Sequence, residues 1–78
     1  MTTQSISELK AGTEAVIASL SGGHDFCSRL ANLGFTSGAA VSVRQNYGRG
    51  PVLVAVRGTL VALGRSEAAR VLVALGEG

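Results

Sequence analysis

A single cysteine, Cys27, has no partner for an internal disulfide, and a reducing, cytoplasmic setting is the default for such a chain. Tryptophan is absent and aromatic residues reach only 4%, so the core has to be aliphatic. Charged residues are scarce as well, at 15% against a usual share of roughly a quarter. A small domain with so few charges leaves apolar surface exposed, and such surface often binds something. No apolar run approaches the roughly 20 residues that span a bilayer; runs such as Val52–Val56 and Leu60–Leu63 have strand length. Met1-Thr2-Thr3-Gln4-Ser5 lacks the basic start and apolar stretch of a leader. A role at a membrane is therefore expected to run through a partner. Gly22-Gly23 and Gly48-x-Gly50 lack the Gly-Lys-Ser/Thr ending of a Walker loop, which excludes nucleotide binding by that route.

Hydrophobic residues make up 46% of 78, enough for one small core, and the chain reads as a single domain over residues 1–78. The stretch Arg29 to Gly38 organises it. Leu30 and Leu33 share a helical face, Gly34 takes the left-handed position past a helix end, and Phe35 folds back on Leu30. Gly38 closes a turn before the period changes from 3.6 to 2 at Val41. Upstream, Ser5 to Leu9 reads as a short turn capped by Ser7 and pinned by Ile6 and Leu9. Thr13–Leu20 reads as the first strand, with Val16, Ala18 and Leu20 inward. A helix is expected from about Asp25 to Leu33, its apolar face built from Phe26, Cys27, Leu30, Ala31 and Leu33. Downstream follow a strand around Val41 and Val43, a loop over 46–51, and a strand over 52–56. A turn at Arg57-Gly58-Thr59, a strand over 60–63, a capped turn over 64–69 and a closing strand over 71–75 complete the chain.

These elements make a mainly β domain: a small antiparallel barrel of about five strands, with one short helix inserted after the first strand. Closure into a barrel is expected to remove the sheet edges that so apolar a chain cannot safely expose.

In order and spacing the chain also resembles a known family. The residues that carry this are Leu9-x-x-Gly12, Ser21-Gly22-Gly23, Arg29-Leu30-x-x-Leu33-Gly34-Phe35-x-x-Gly38-x-x-Val41, Gly50-Pro51-Val52-x-Val54-x-Val56-x-Gly58, Val61-Ala62-Leu63, and Glu67-Ala68 before Val71-x-Val73. They resemble the FeoA family of ferrous iron transport accessory proteins, most specifically through the central Leu-Gly-Phe-x-x-Gly. The resemblance implies an SH3-like barrel and a soluble cytoplasmic protein. Its implied partner is the bacterial ferrous iron permease, which carries a cytoplasmic G-domain. Related domains end metal-dependent repressors; with no room in these 78 residues for their DNA-binding part, the stand-alone form is the expected one.

The chemistry of individual residues points the same way. His24 is the only histidine, and a Cys–His nucleophile needs a base within reach of the sulfur and a third group to orient it. His24 is placed before the helix and Cys27 on its apolar face, so no enzyme is expected. His24, Asp25 and Cys27 together offer a metal an imidazole, a carboxylate and a thiol. That set suits zinc or iron but is short of the four ligands of a structural site unless two molecules share it. No cofactor is required.

Residues 1–40 hold two basic against three acidic side chains and residues 41–78 five against two, a mildly basic second half. With Tyr47 as the one exposed ring, nucleic acid is not expected, although a nucleic-acid-binding barrel is the structural alternative. Protein contact is expected instead, at Arg29, Tyr47, Arg49 and Arg57, where exposed Tyr and Arg make good anchors. The outer apolar set Leu53, Ala55 and Leu60 leaves room for a homo-oligomer, or for a self-associating adaptor unrelated to iron, unless the helix and N-terminal turn cover that face.

Overall fold

A computed structural model describes residues 3–75. The single-domain reading of 1–78 extends past that range. Met1 and Thr2 of the stretch read as lacking a leader, and Glu77 of the charge tally, also lie outside it.

The chain builds β1 (Thr3–Ser5), a 3-10 turn (Ile6–Glu8), β2 (Glu14–Leu20), α1 (His24–Asn32), β3 (Ala40–Gln45), β4 (Val52–Val56), β5 (Thr59–Leu63), α2 (Arg65–Ala68) and β6 (Val71–Leu75). The six strands form one antiparallel sheet in the order β1-β6-β2-β3-β4-β5. Alternation sets the faces: Val52, Val54 and Val56 are buried while Leu53 and Ala55 lie half-buried on the other side. The inner faces meet in one mainly aliphatic core holding Ile6, Ile17, Leu30, Phe35, Val43, Leu63, Val71 and Val73. Removing a side chain of this size from water stabilises by about 1.5–3 kcal/mol. α2 packs on β5 and on the 3-10 turn, which also touches β6.

The sheet has one strand more than the sequence suggests. β1 is three polar residues with no pattern to announce it; it exists because it pairs with β6, Gln4 opposite Val73. Its last residue also caps the next turn. The Ser5 hydroxyl, not that of Ser7, accepts the Ser7 N–H at 3.1 Å, while Ile6 and Leu9 are buried as expected.

In β2 the expected parity is reversed. Ala15 and Ile17 are buried and Val16 is exposed. Both faces of β2 are apolar, so alternation could not choose between them. Pairing does: Ala15 lies opposite Val41 and Ile17 opposite Val73, both core residues. The register then shifts between Ile17 and Ser19, which brings Leu20 opposite Val71 and against the core.

Helix α1 starts at His24, one residue before the sequence estimate, with Gly23 as its N-cap, so Asp25 lies in the first turn. Its end follows the expected stop. Phe35 N–H donates to the Leu30 carbonyl and Gly34 N–H to that of Ala31, both at 3.0 Å, and Gly34 has φ 110°. Two members of the expected apolar face are outside it, since Ala31 is exposed and Leu33 is 42% exposed. Leu33 is the C-cap, where the chain leaves the helical path, so 3.6-residue spacing no longer predicts its direction.

The turn joining β4 and β5 is only Arg57-Gly58, with φ 51° and 78°, the left-handed pair that matches strand twist in a two-residue hairpin; Thr59 already belongs to β5. The sheet keeps its edges. Among the described residues β1 pairs only with β6 and β5 only with β4. Leu60, 59% exposed, shows that neither the helix nor the N-terminal turn covers the outer face at β5.

Candidate functional site

Between β3 and β4 the chain must cross Asn46-Tyr47-Gly48-Arg49-Gly50-Pro51 without ladder partners of its own, so its backbone polar groups need others. Asn46 supplies one and ties the loop to the 3-10 turn and to Leu9. Its Nδ2 donates to the carbonyls of Ser7 and Leu9 at 3.0 and 2.7 Å, and its Oδ1 accepts Gly48 N–H at 3.0 Å. Arg65, in the first turn of α2, completes the latch. It donates to Asn46 Oδ1 at 3.0 Å, to the Gly50 carbonyl at 3.2 Å and to the Ser7 carbonyl at 2.9 Å. The loop is thus tied to both the 3-10 turn and α2. What it holds out is Tyr47, 76% exposed, with Arg49 two residues on and also exposed.

Arg29 faces outward, as expected, but is not free. Its guanidinium meets Glu67 of α2 at 2.6 Å and lies 5.9 Å from the Phe26 ring centroid. Arg70 approaches the same ring at 5.6 Å, so Phe26 is flanked by two cations. Glu67 also accepts Gly64 N–H at 3.0 Å. That backbone hydrogen bond, with the charge and hydrogen bond of Arg29, holds the Glu67 carboxyl below the usual carboxylate range despite an opposing desolvation effect. Arg57, in its left-handed turn, donates to Thr36 Oγ1 at 2.9 Å and, more loosely, to the Gly34 carbonyl at 3.4 Å. It therefore fastens the β4–β5 turn to the stop of α1. No hydrogen bond or ion pair links Arg29, Arg57 and the 46–51 loop to one another among the described residues. The four expected contact residues thus fall into three places.

The His24, Asp25 and Cys27 set does not assemble. His24 and Asp25 are exposed on the first turn of α1, whereas Cys27 is half-buried with its Sγ turned to the carbonyls of Gly22 and Leu20 at 3.7 and 3.9 Å. Among the described residues no three His, Cys, Asp or Glu side chains of one chain lie close enough to share a metal. No helix among them is long and apolar enough to cross a membrane.

Sequence reasoning missed Arg65 and the latching role of Asn46. The available signal was a loop with two glycines and a proline, which needs outside partners, beside an Asn that can bond its own turn.

A family model for the FeoA domain matches residues 4–75. No curated protein matches the chain. Among solved structures, the FeoA of Stenotrophomonas maltophilia in complex with zinc is 39% identical, over 90% of this chain and 88% of that one, with a TM-score of 0.80. It is described as a prokaryotic SH3 domain protein and a candidate activating factor for bacterial ferrous iron transport. The FeoA of Chlorobium tepidum is 32% identical, over 96% of this chain and 72% of that one, at a TM-score of 0.87. An iron uptake regulatory protein, likewise called FeoA, is 30% identical over 94% and 97%, at 0.87. The expected mainly β, SH3-like architecture agrees with the six-stranded sheet and with the description of the Stenotrophomonas maltophilia relative.

Proposed function

The chain belongs to the FeoA domain family, and from that premise we propose that it is a cytoplasmic accessory protein of bacterial ferrous iron uptake. In this reading it acts by direct contact with the cytoplasmic part of the GTPase-linked ferrous iron permease. The observation that carries the proposal is the family match over residues 4–75, supported by the description of the Stenotrophomonas maltophilia relative as a candidate activator of this transport. Iron is the cargo of the pathway and needs no ligand here.

The latched loop supports contact rather than chemistry. A protein that acts by docking gains when its anchors are already fixed, because less conformational freedom is lost on association. Tyr47 and Arg49 meet that condition: both are exposed, on a segment reached by five hydrogen bonds to or from Asn46 and Arg65. They are the anchors in this reading. Arg29 and Arg57 each commit part of the guanidinium inside the fold, to Glu67 and to Thr36, and so also tie elements together.

The test is a titration of the purified protein against the isolated cytoplasmic part of the permease and against the whole permease in detergent. Saturable binding is expected, weakened about tenfold or more by Tyr47→Ala or by Arg49→Glu, since central Tyr and Arg anchors often contribute 2 kcal/mol or more. Absence of binding to both preparations at high micromolar concentration sinks the proposal.

A further inference from the structure

Strand β5 is a sheet edge that α2 touches but with no hydrogen-bond partner on its free side among the described residues, and its main chain is self-complementary. The two-residue turn Arg57-Gly58 makes Val56 and Thr59 the closing hydrogen-bonded pair of the hairpin. Hydrogen-bonded pairs alternate along an antiparallel ladder, so Val54 with Val61 and Val52 with Leu63 are the others. Thr59, Val61 and Leu63 therefore turn their main-chain groups to β4, and Leu60 and Ala62 turn theirs to the free side. Among the described residues β5 pairs with β4 alone, and no turn, loop or side-chain hydrogen bond reaches it. Edge strands are usually guarded by charge, proline, a bulge or brevity. The other edge, β1, is three polar residues long. β5 is Thr-Leu-Val-Ala-Leu, with none of these guards, and its Leu60 is 59% exposed.

We infer that two copies of the chain associate by antiparallel pairing of β5 with β5, centred on Val61. Only this register engages every free group. Leu60 of each copy faces Ala62 of the other in a hydrogen-bonded pair, which uses two N–H and two C=O groups from each strand. A register centred on Leu60 or on Ala62 faces like with like and leaves the other residue unmatched within the strand. The side chains agree with the choice. Leu60 and Ala62 lie on the outer face beside Ala55 and Leu53, which are half-buried. Pairing about Val61 sets each large Leu against a small Ala and extends that apolar strip across the two-fold axis. No charged residue lies on β5 to oppose it. One strand pair and one side-chain strip fall short of the roughly 1,200–2,000 Å² of a standard interface. The dimer is therefore a weak, concentration-dependent one. It does not depend on the permease reading.

Sedimentation velocity on the full chain, from micromolar to millimolar concentration, tests it. The wild type is expected to shift from monomer to dimer across that range. The double variant Leu60→Lys with Ala62→Lys is expected to stay monomeric, and so is Leu60→Glu with Ala62→Glu. A one-to-one mixture of the two is expected to dimerise at low salt, because the introduced lysines of one copy face the introduced glutamates of the other. That rescue also shows that both variants are folded. A wild type that stays monomeric throughout overturns the inference. So does a dimer that survives the double lysine variant, or a mixture that fails to associate.

Discussion

Leu33 and Phe35 sit on either side of the glycine that ends α1, and they differ sharply in what they contribute. Phe35 is fully buried, whereas Leu33 is 42% exposed. Phe35→Ala should cost about 3–5 kcal/mol, a large share of the roughly 5–15 kcal/mol that holds a domain together, and lower the urea midpoint steeply. Leu33→Ala should cost less than about 1 kcal/mol; urea unfolding followed by circular dichroism measures both. Helical spacing alone places Leu33 in the core, because periodicity cannot say where the helix stops being a helix.

Glu67 gives a second residue-scale prediction. Its carboxyl is held below the usual range by Gly64 N–H and by Arg29, so the unfolded chain takes up a proton first as pH falls. The stabilisation is present at neutral pH and is lost as pH drops through the lowered value. Glu67→Gln should narrow the difference between urea midpoints at pH 7 and pH 3 relative to wild type. The effect should be small, since Arg29 is 58% exposed and surface pairs are screened. An unchanged difference removes Glu67 from the account.

At the scale of elements, the stop of α1 is the part most fully legible in the sequence. Leu30, Gly34 and Phe35 occupy the three positions of a Schellman motif, and each makes the expected bond or contact. Gly34→Ala therefore has a defined cost. A left-handed φ of 110° opposes any Cβ, and the new carbon would sit 3.0 Å from Arg57 Cδ. The arginine side chain can shift, so the backbone dominates, at about 1–2 kcal/mol or more. A fall in urea midpoint with an unchanged slope is the expected reading. Elements whose form depends on distant partners were less legible. β1 has no pattern of its own, and β2 carries apolar residues on both faces, so each takes its place from β6 and β3. The latch of Arg65 on Asn46 joins positions 19 apart in the chain, and no local pattern encodes such a contact.

For the whole molecule, a sheet in the order β1-β6-β2-β3-β4-β5 puts its two proposed surfaces at different places on one hairpin. The 46–51 loop enters β4 at Val52, opposite Leu63, while the proposed dimer is centred on Val61, two residues along β5 toward the Arg57-Gly58 turn. At about 3.3 Å per residue that is roughly 7 Å of strand, and the anchors Tyr47 and Arg49 lie further off, on the loop rather than on the edge. Sites that far apart with no shared partner are expected to act independently. Leu60→Lys with Ala62→Lys should therefore abolish dimerisation and leave the affinity for the permease's cytoplasmic part within about twofold. Tyr47→Ala with Arg49→Glu should do the reverse. Parallel sedimentation and titration of the two double variants check both halves. If the lysine variant loses both activities while its circular dichroism stays native, the sites are coupled, and the dimer is the form that docks.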